Sequence, residues 1–422
     1  MDAILRLDHE LVALEAEDAV FGLLELRAPE PPALEKRPKL GLALVIDRSG
    51  SMAGDKLEVA KACAGFLAGR LTSEDRLGVV AYDDQVSLVS GLHGPDPDLR
   101  HAIERIHPGG STNLSGGWLK GVEVLEGIEA DVRRVLLLTD GLANVGIQDS
   151  NQLASMSASA AERGITTSTI GFGEGFDEEL LSAMADSGRG HDYFAASPEE
   201  APSIFAQEFE GLSSLVAQNL SVEIRMMQPG VDVAILNEYP ITPNDGGLQA
   251  ALGDVFGGEV RKMVFKVIVP GLAERGRLQV AEVIIRWAEI AGEAVKLHTR
   301  TIPVTINAVP HTEAEAGSAD PAVTEEVVIL EAARARKDAR SLADRGDFDG
   351  ARRLLAEKAA ELRAIAPDSP RAAAAADDIE ELERFDRRME QRLYDQTDSK
   401  MRWEQSRRRH RSQDYRKRPD RP

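Results

Sequence analysis

Cysteine is nearly missing from this sequence. Its 422 residues include one, Cys63, which excludes a disulfide framework and any zinc site built on thiolates. Cys63 falls among Leu57, Ala60, Ala64, Leu67 and Leu71 at helical spacing, so a packed thiol is its expected role. Positive charge is also scarce. Lys and Arg number 50 against 71 Asp and Glu, a formal net charge of −21, which argues against nucleic acid as the main partner. No run approaches the roughly 18 uncharged apolar residues of a membrane helix. The amino terminus, MDAILRLDHELVALEAED, lacks both a basic start and an apolar stretch of signal-peptide length. A soluble, cytoplasmic protein is the expectation. The eight histidines show no metal-ligand spacing, and H-E-x-x-H, P-loop and G-x-S-x-G motifs are all absent.

What is present is concentrated in LGLALVIDRSGSM, residues 40–52. Leu42, Ala43, Leu44, Val45 and Ile46 form an apolar run that stops at Asp47. Such a run reads as a strand buried on both faces, the usual state of a parallel sheet covered by helices. Ligands of such sheets bind beyond the carboxyl ends of the strands. One carboxylate and two hydroxyls, Asp47, Ser49 and Ser51, emerge there as hard oxygen donors suited to Mg²⁺. Turn chemistry around Gly50 is the alternative account of the two serines. Two later segments extend the set. Asp140 follows the apolar run Val135–Leu138, and Thr112 sits in the loop HPGGSTNLSGGW.

With these residues the chain resembles the von Willebrand factor type A domain and its metal-ion-dependent adhesion site. That motif is D-x-S-x-S, a Thr in a Gly-rich loop, and an Asp followed by Gly. It maps in order onto Asp47, Ser49, Ser51, Thr112 and Asp140. The resemblance implies a doubly wound, mostly parallel sheet holding Mg²⁺ (or Mn²⁺ or Ca²⁺). It implies direct contact from the two serines, contact from Thr112 when a ligand is bound, and water-mediated contact from the aspartates. An Asp or Glu exposed on a protein partner would fill the open position, making the chain a metal-dependent, non-enzymatic interaction module. Arg48, inside the motif, is expected beside that position, either as a second contact to the incoming carboxylate or as a solvated loop arginine. Asp83 and Asp84 follow another strand and read as an outer shell or as a solvated hairpin turn. GFGEGF, residues 171–176, reads as a structural turn because it lacks G-x-G-x-x-G spacing.

Two other functional readings compete. One is an adaptor subunit of an AAA+ ATPase or chelatase-type machine. The other is a Mg²⁺-dependent, phosphatase-like hydrolase with Asp47 as nucleophile and Lys56 or Lys120 as the nearest candidate phosphate ligands.

Organisation follows from pattern changes along the chain. Residues 1–38 hold alternating runs and a proline-rich linker at 28–38. Residues 39–216 alternate strands with helical patterns, the α/β domain of the resemblance. Residues 217–309 read as strands joined by Gly, Pro and Asn turns, an antiparallel β-sandwich. Strands in 1–28 cannot make a sheet alone, so they are expected to complete this sandwich, with the α/β domain inserted. Residues 310–322 are a linker by composition and 323–396 a helical bundle, in which GDFDGA, 346–351, joins two antiparallel helices and a third spans about 370–395. Residues 397–422 form a basic tail, with ten Lys or Arg against three Asp or Glu from Ser399 onward.

Overall fold

A computed structural model describes residues 1–29, 38–173, 175–195, 200–291, 294–315, 317–365 and 413–414. Most of the 28–38 linker, the third helix near 370–395 and all of the tail but two residues therefore lie outside the described residues. The described residues of Met1–Glu30, Ala217–Glu289 and Val295–Pro422 make one compact unit. Those of Pro31–Val216 and Ile290–Ala294 make another, inserted into the first. Among the described residues no helix is long and apolar enough to cross a membrane.

The first unit opens with strands β1 (Asp2–Leu7), β2 (Leu11–Ala13) and β3 (Asp18–Arg27). The inserted unit follows with β4 (Leu40–Asp47), β5 (Arg76–Tyr82), β6 (Val86–His93), β7 (Val132–Thr139), β8 (Ile165–Phe172) and β9 (Arg189–Ala195). Its helices are α1 (Asp55–Arg70), α2 (Pro97–Glu104), α3 (Leu114–Leu125), α4 (Ser150–Glu162), α5 (Glu178–Ser187) and α6 (Ala201–Ser213). These make one six-stranded sheet in the order β6-β5-β4-β7-β8-β9, parallel except for the β5–β6 hairpin. Every residue of β4 and β8 is buried, as a sheet covered on both faces requires. Ala43, Val45, Val135 and Leu137 share a core with Leu114, Trp118 and Val122 of α3 and with residues of α4 and α5. Gly121 lets α3 approach closely, because a β-carbon there would lie 2.5 Å from Val45 Cγ2. Leu42, Leu44 and Ile46 alternate to the other face and are fully buried. Cys63 is packed on α1, and burial pushes its thiol up to about 12.

Arg134 of β7 and Glu208 of α6 form an ion pair of 2.9 Å with side chains 0% and 2% exposed. Ser168 Oγ and Tyr193 OH also donate to Glu208, at 2.6 and 2.7 Å, and His191 Nδ1 lies 3.1 Å from it. One carboxylate thereby ties α6 to three neighbouring strands.

The first unit resumes with β10 (Leu215–Met226), β11 (Asp232–Ile235), β12 (Ile241–Asn244), β13 (Gly247–Phe256), β14 (Val260–Val269), β15 (Gly276–Ala291) and β16 (Ala294–Val309). One sheet runs β1-β3-β14-β11, with all its pairs antiparallel. The other runs β12-β13-β10-β15-β16-β2. The antiparallel sandwich thus has a departure, since β2 joins β16 in parallel. Alternation in 1–28 marks strands but carries no information on direction. Helices α7 (His311–Ala314), α8 (Pro321–Asp344) and α9 (Phe348–Ile365) complete this unit. Val323, Val327 and Leu330 of α8 pack on Leu23 and Val264 of the first sheet, and α8 and α9 share an apolar seam. Gly346, at φ +85, makes the turn between them, and Asp347 Oδ1 accepts from Gly350 N at the start of α9. The segment expected as a linker, 310–322, connects β16 to α8 and carries local structure. Residues 311–314 are helical, Asp320 N donates to Asp8 O at 2.7 Å, and Asp320 caps α8. Asp, Ser and Gly look like spacer in composition, yet they are also capping residues. In the tail, Gln413–Asp414 (β17) pairs with Val260 and Arg261.

Strand β3 pairs with β14 along its whole length and buries Val20, Leu23, Leu24 and Leu26. At roughly 1.5–3 kcal/mol per buried aliphatic side chain, these rival a typical total stability of about 5–15 kcal/mol. Deleting residues 1–28 also strips β14 to an open edge, an aggregation hazard. The expected result is an insoluble chain, read by soluble yield and size-exclusion chromatography. A monodisperse deletion melting with the full-length protein would contradict it.

Candidate metal centre

Strand β4 lies between β5 and β7, so the chain winds outward from it in both directions. The carboxyl ends of β4 and β7 therefore flank a topological switch point, where open α/β sheets form their crevice. Asp47 is the last residue of β4, and Asp140 directly follows β7. Behind them apolar strands are fixed in the core, and beyond them Ser49, Gly50 and Ser51 turn the chain through a single 3₁₀ turn, Gly50–Met52, toward α1.

The motif residues form a connected set. Ser49 N donates to Asp47 Oδ1 at 2.8 Å, and the hydroxyls of Ser49 and Ser51 lie 3.2 Å apart. Ser51 Oγ donates to Asp140 Oδ1 at 2.7 Å. Thr112 joins across Gly141, where a β-carbon would lie 3.4 Å from Thr112 Oγ1 and 3.5 Å from Ser51 Oγ. Asp47, Ser49, Thr112 and Asp140 are buried, whereas Gly50, Ser51, Gly109, Gly110, Ser111 and Leu142 are exposed. Small residues thus leave an open approach to buried oxygens.

Burial raises the Asp47 carboxyl above its ordinary value. Hydrogen bonds from Thr139 and Ser49 oppose the rise, and the nearby Asp140 charge adds to it. Two desolvated carboxylates facing three hydroxyls carry surplus negative charge, which a cation would relieve. Among the described residues no group of three or more His, Cys, Asp or Glu is placed to hold an ion. A cation here would depend on the hydroxyl oxygens, and this all-oxygen donor set fits a hard divalent ion.

Arg48, expected beside the open position as a contact to a partner's carboxylate or as a solvated arginine, has a partner within the chain. Its Nη2 pairs with Asp83 Oδ1 at 3.2 Å, with the side chain 23% exposed. Its backbone accepts from Gly109 N at 2.7 Å, so it braces the loop that carries Thr112. Asp83 lies in the turn of the β5–β6 hairpin, as expected, but it is not solvated. It is buried and accepts from Gln85 N and Gly110 N as well. Burial pushes its carboxyl up, but those bonds and Arg48 outweigh it, and the net displacement is downward. A β-carbon on Gly109 would collide with the Asp83 carboxylate, which explains the glycine there.

Three supporting residues were not legible as such. Thr139 Oγ1 donates to Asp47 Oδ2 at 2.6 Å, yet a threonine ending an apolar strand looks like any β-branched strand residue. Asn144 Oδ1 accepts from Thr112 N at 2.8 Å, and Asn144 N returns a bond to Thr112 O. Lys56 Nζ lies 2.6 Å from Asp140 Oδ2, whereas Lys120 pairs with Glu123 of its own helix.

Comparison with known proteins agrees with this architecture. Residues 42–207 match the family model described as the von Willebrand factor type A domain. The uncharacterized protein sll0103 of Synechocystis sp. is 28% identical over 334 residues, 76% of this chain and 78% of that protein. A solved structure described as von Willebrand factor type A from Catenulispora acidiphila superposes with a TM-score of 0.67 at 18% identity, covering 87% of each chain. The ArnB paralog VWA2 from Sulfolobus acidocaldarius gives 0.63 at 18% identity over 97% of this chain and 98% of that one. At such identity the two structures bear on the fold alone.

Proposed function

The chain carries a von Willebrand factor type A domain over residues 42–207, and from that premise we propose that it is a divalent-metal-dependent protein-interaction module. The observation that carries this reading is the linked set Asp47–Ser49–Ser51–Asp140, with buried carboxylates beneath an exposed mouth of glycine and serine. Ser49, Ser51 and Thr112 would hold Mg²⁺, Mn²⁺ or Ca²⁺ directly, with Asp47 and Asp140 supporting it. Bound there, the ion supplies an electrophilic position open to a carboxylate oxygen. The partner class is a protein exposing an Asp or Glu, and Leu142, 58% exposed, offers an apolar contact beside it. Asp47 is poorly suited to nucleophilic attack, because both its oxygens already accept hydrogen bonds.

Immobilised full-length protein should capture its partner in Mg²⁺ and release it in EDTA. Thr112→Ala should weaken capture at least tenfold while changing metal affinity far less, because Thr112 acts when the partner's carboxylate arrives. Capture that is equal in EDTA would contradict the reading.

A further inference from the structure

Lys56 belongs to neither the motif nor the loop that braces it, yet it is drawn into the site. It stands at the second position of α1, with its ammonium 2.6 Å from Asp140 Oδ2. The other oxygen of Asp140 is held by Ser51. The pair is asymmetric. Asp140 has a side-chain exposure of 0% and Lys56 one of 34%, so the lysine reaches inward from the rim to a carboxylate that water does not touch. Among the described residues, Lys56 is the one cation paired with either aspartate of the site. Gly173 and Gly175, after β8, lie against this pair. A β-carbon on Gly173 would lie 3.7 Å from Lys56 Nζ, and one on Gly175 would lie 2.6 Å from the Asp140 carbonyl oxygen. Gly173, at φ +65, takes a conformation that suits glycine.

Two buried carboxylates so close together are costly unless something offsets their charge. We infer that Lys56 is a built-in counter-cation: its ammonium neutralises Asp140 when the site holds no ion, and a divalent ion competes with it for that carboxylate. The inference rests on the reading of the site as a divalent-cation site. Two effects follow from the same contact. The ion-free domain is more stable than it would be without Lys56, because the carboxylate pair is partly compensated. Metal affinity is lower than the oxygen set alone would give, because binding must share or displace an existing partner and place two charges beside a third. Occupancy would then follow the surrounding metal concentration. An exposed ion pair would contribute little. This pair differs because one member is fully buried.

The test uses the full-length chain as wild type, Lys56→Gln, Lys56→Arg, Asp140→Asn and the Lys56→Gln/Asp140→Asn double variant. Melting in EDTA should show Lys56→Gln about 2–4 °C below wild type. Lys56→Arg should restore most of that loss, and the double variant should show the Lys56 effect largely gone once Asp140 is uncharged. Calorimetry should show Mn²⁺ binding Lys56→Gln about tenfold more tightly than wild type. Coulomb's law gives that factor at the dielectric of water for a unit and a double charge about 6 Å apart. Saturating Mn²⁺ should narrow the gap in melting temperature. Equal melting and equal Mn²⁺ affinity in Lys56→Gln would overturn the inference, as would weaker Mn²⁺ binding, which would make Lys56 part of the scaffold that builds the site. If wild type and all variants bind no Mn²⁺, the metal reading and the competition both fall. The EDTA melts then still decide whether Lys56 and Asp140 are coupled.

Discussion

Glu208→Ala should cost the inserted domain about 3–5 kcal/mol, the usual penalty for removing one member of a buried ion pair. The variant strips the fully buried Arg134 guanidinium of its carboxylate and takes away the acceptor of Ser168 and Tyr193. Arg134 lies on β7, Ser168 on β8 and Tyr193 on β9, so the loss also unties α6 from the sheet. Glu208→Gln keeps the shape and should lose less, with the charge removed but hydrogen bonding partly retained. The pH dependence has a definite sign. Burial pushes the Glu208 carboxyl up, but the Arg134 charge and the bonds from His191 and Ser168 outweigh it and hold it well below its ordinary value of 4.5. A depressed carboxyl contributes stability that is fully present above its unfolded value and lost as pH falls toward its folded one. The advantage of wild type over Glu208→Ala should therefore be constant from neutral pH to about pH 5 and shrink below that. Urea denaturation at pH 7 and at pH 3.5 measures both. A loss under about 1 kcal/mol at pH 7 would mean that the cluster does not hold α6.

The inserted domain was legible because its signals are redundant. Strands β4, β5, β7 and β8 are apolar or β-branched runs that end at polar turns. Four of the helices between them, α2 to α5, open on a capping Asp or Asn, such as Asn113 or Asp149. The motif residues were legible because chemistry placed at strand ends leaves a linear trace, a carboxylate or hydroxyl directly after a buried run. Supporting contacts leave none. Arg134 and Glu208 stand 74 positions apart, and each alone reads as a surface charge. The pairing of Arg48 was not legible because its sequence neighbours are motif residues, while its partner Asp83 comes from the turn after β5. In the outer unit, residues 1–28 showed strand periodicity, but the parallel pairing of β2 with β16 is settled by tertiary contacts. Period-2 alternation says which face is buried and nothing about which neighbour is beside it. Asp320 illustrates the same limit, since an acidic residue before a proline can begin a helix or extend a linker, and here its carboxylate caps α8.

Asp47→Ala is expected to give the largest functional loss. Asp47 is fully buried, accepts from Ser49 N and Thr139 Oγ1, and supplies half the carboxylate charge of the site. Alanine would remove that charge and free the turn that aims the Ser49 and Ser51 hydroxyls. Groups that orient metal ligands without dominating the coordination typically account for about 10–100-fold in affinity, and losing a charge as well places this variant at the upper end. Metal stabilisation should vanish in parallel. Wild type at 100 times its dissociation constant should gain about 2.7 kcal/mol, and a folded Asp47→Ala protein at the same concentration almost none.

Calorimetric titration of wild type and Asp47→Ala with Mg²⁺ and Mn²⁺, each variant first shown to be folded by its melting curve, tests the central claim most directly. One site per chain in wild type, weakened about 100-fold or abolished in Asp47→Ala, is the result this account predicts. Undiminished affinity in a folded Asp47→Ala protein would contradict it, because the ion would then lie somewhere other than the mouth formed by Asp47, Ser49, Ser51, Thr112 and Asp140.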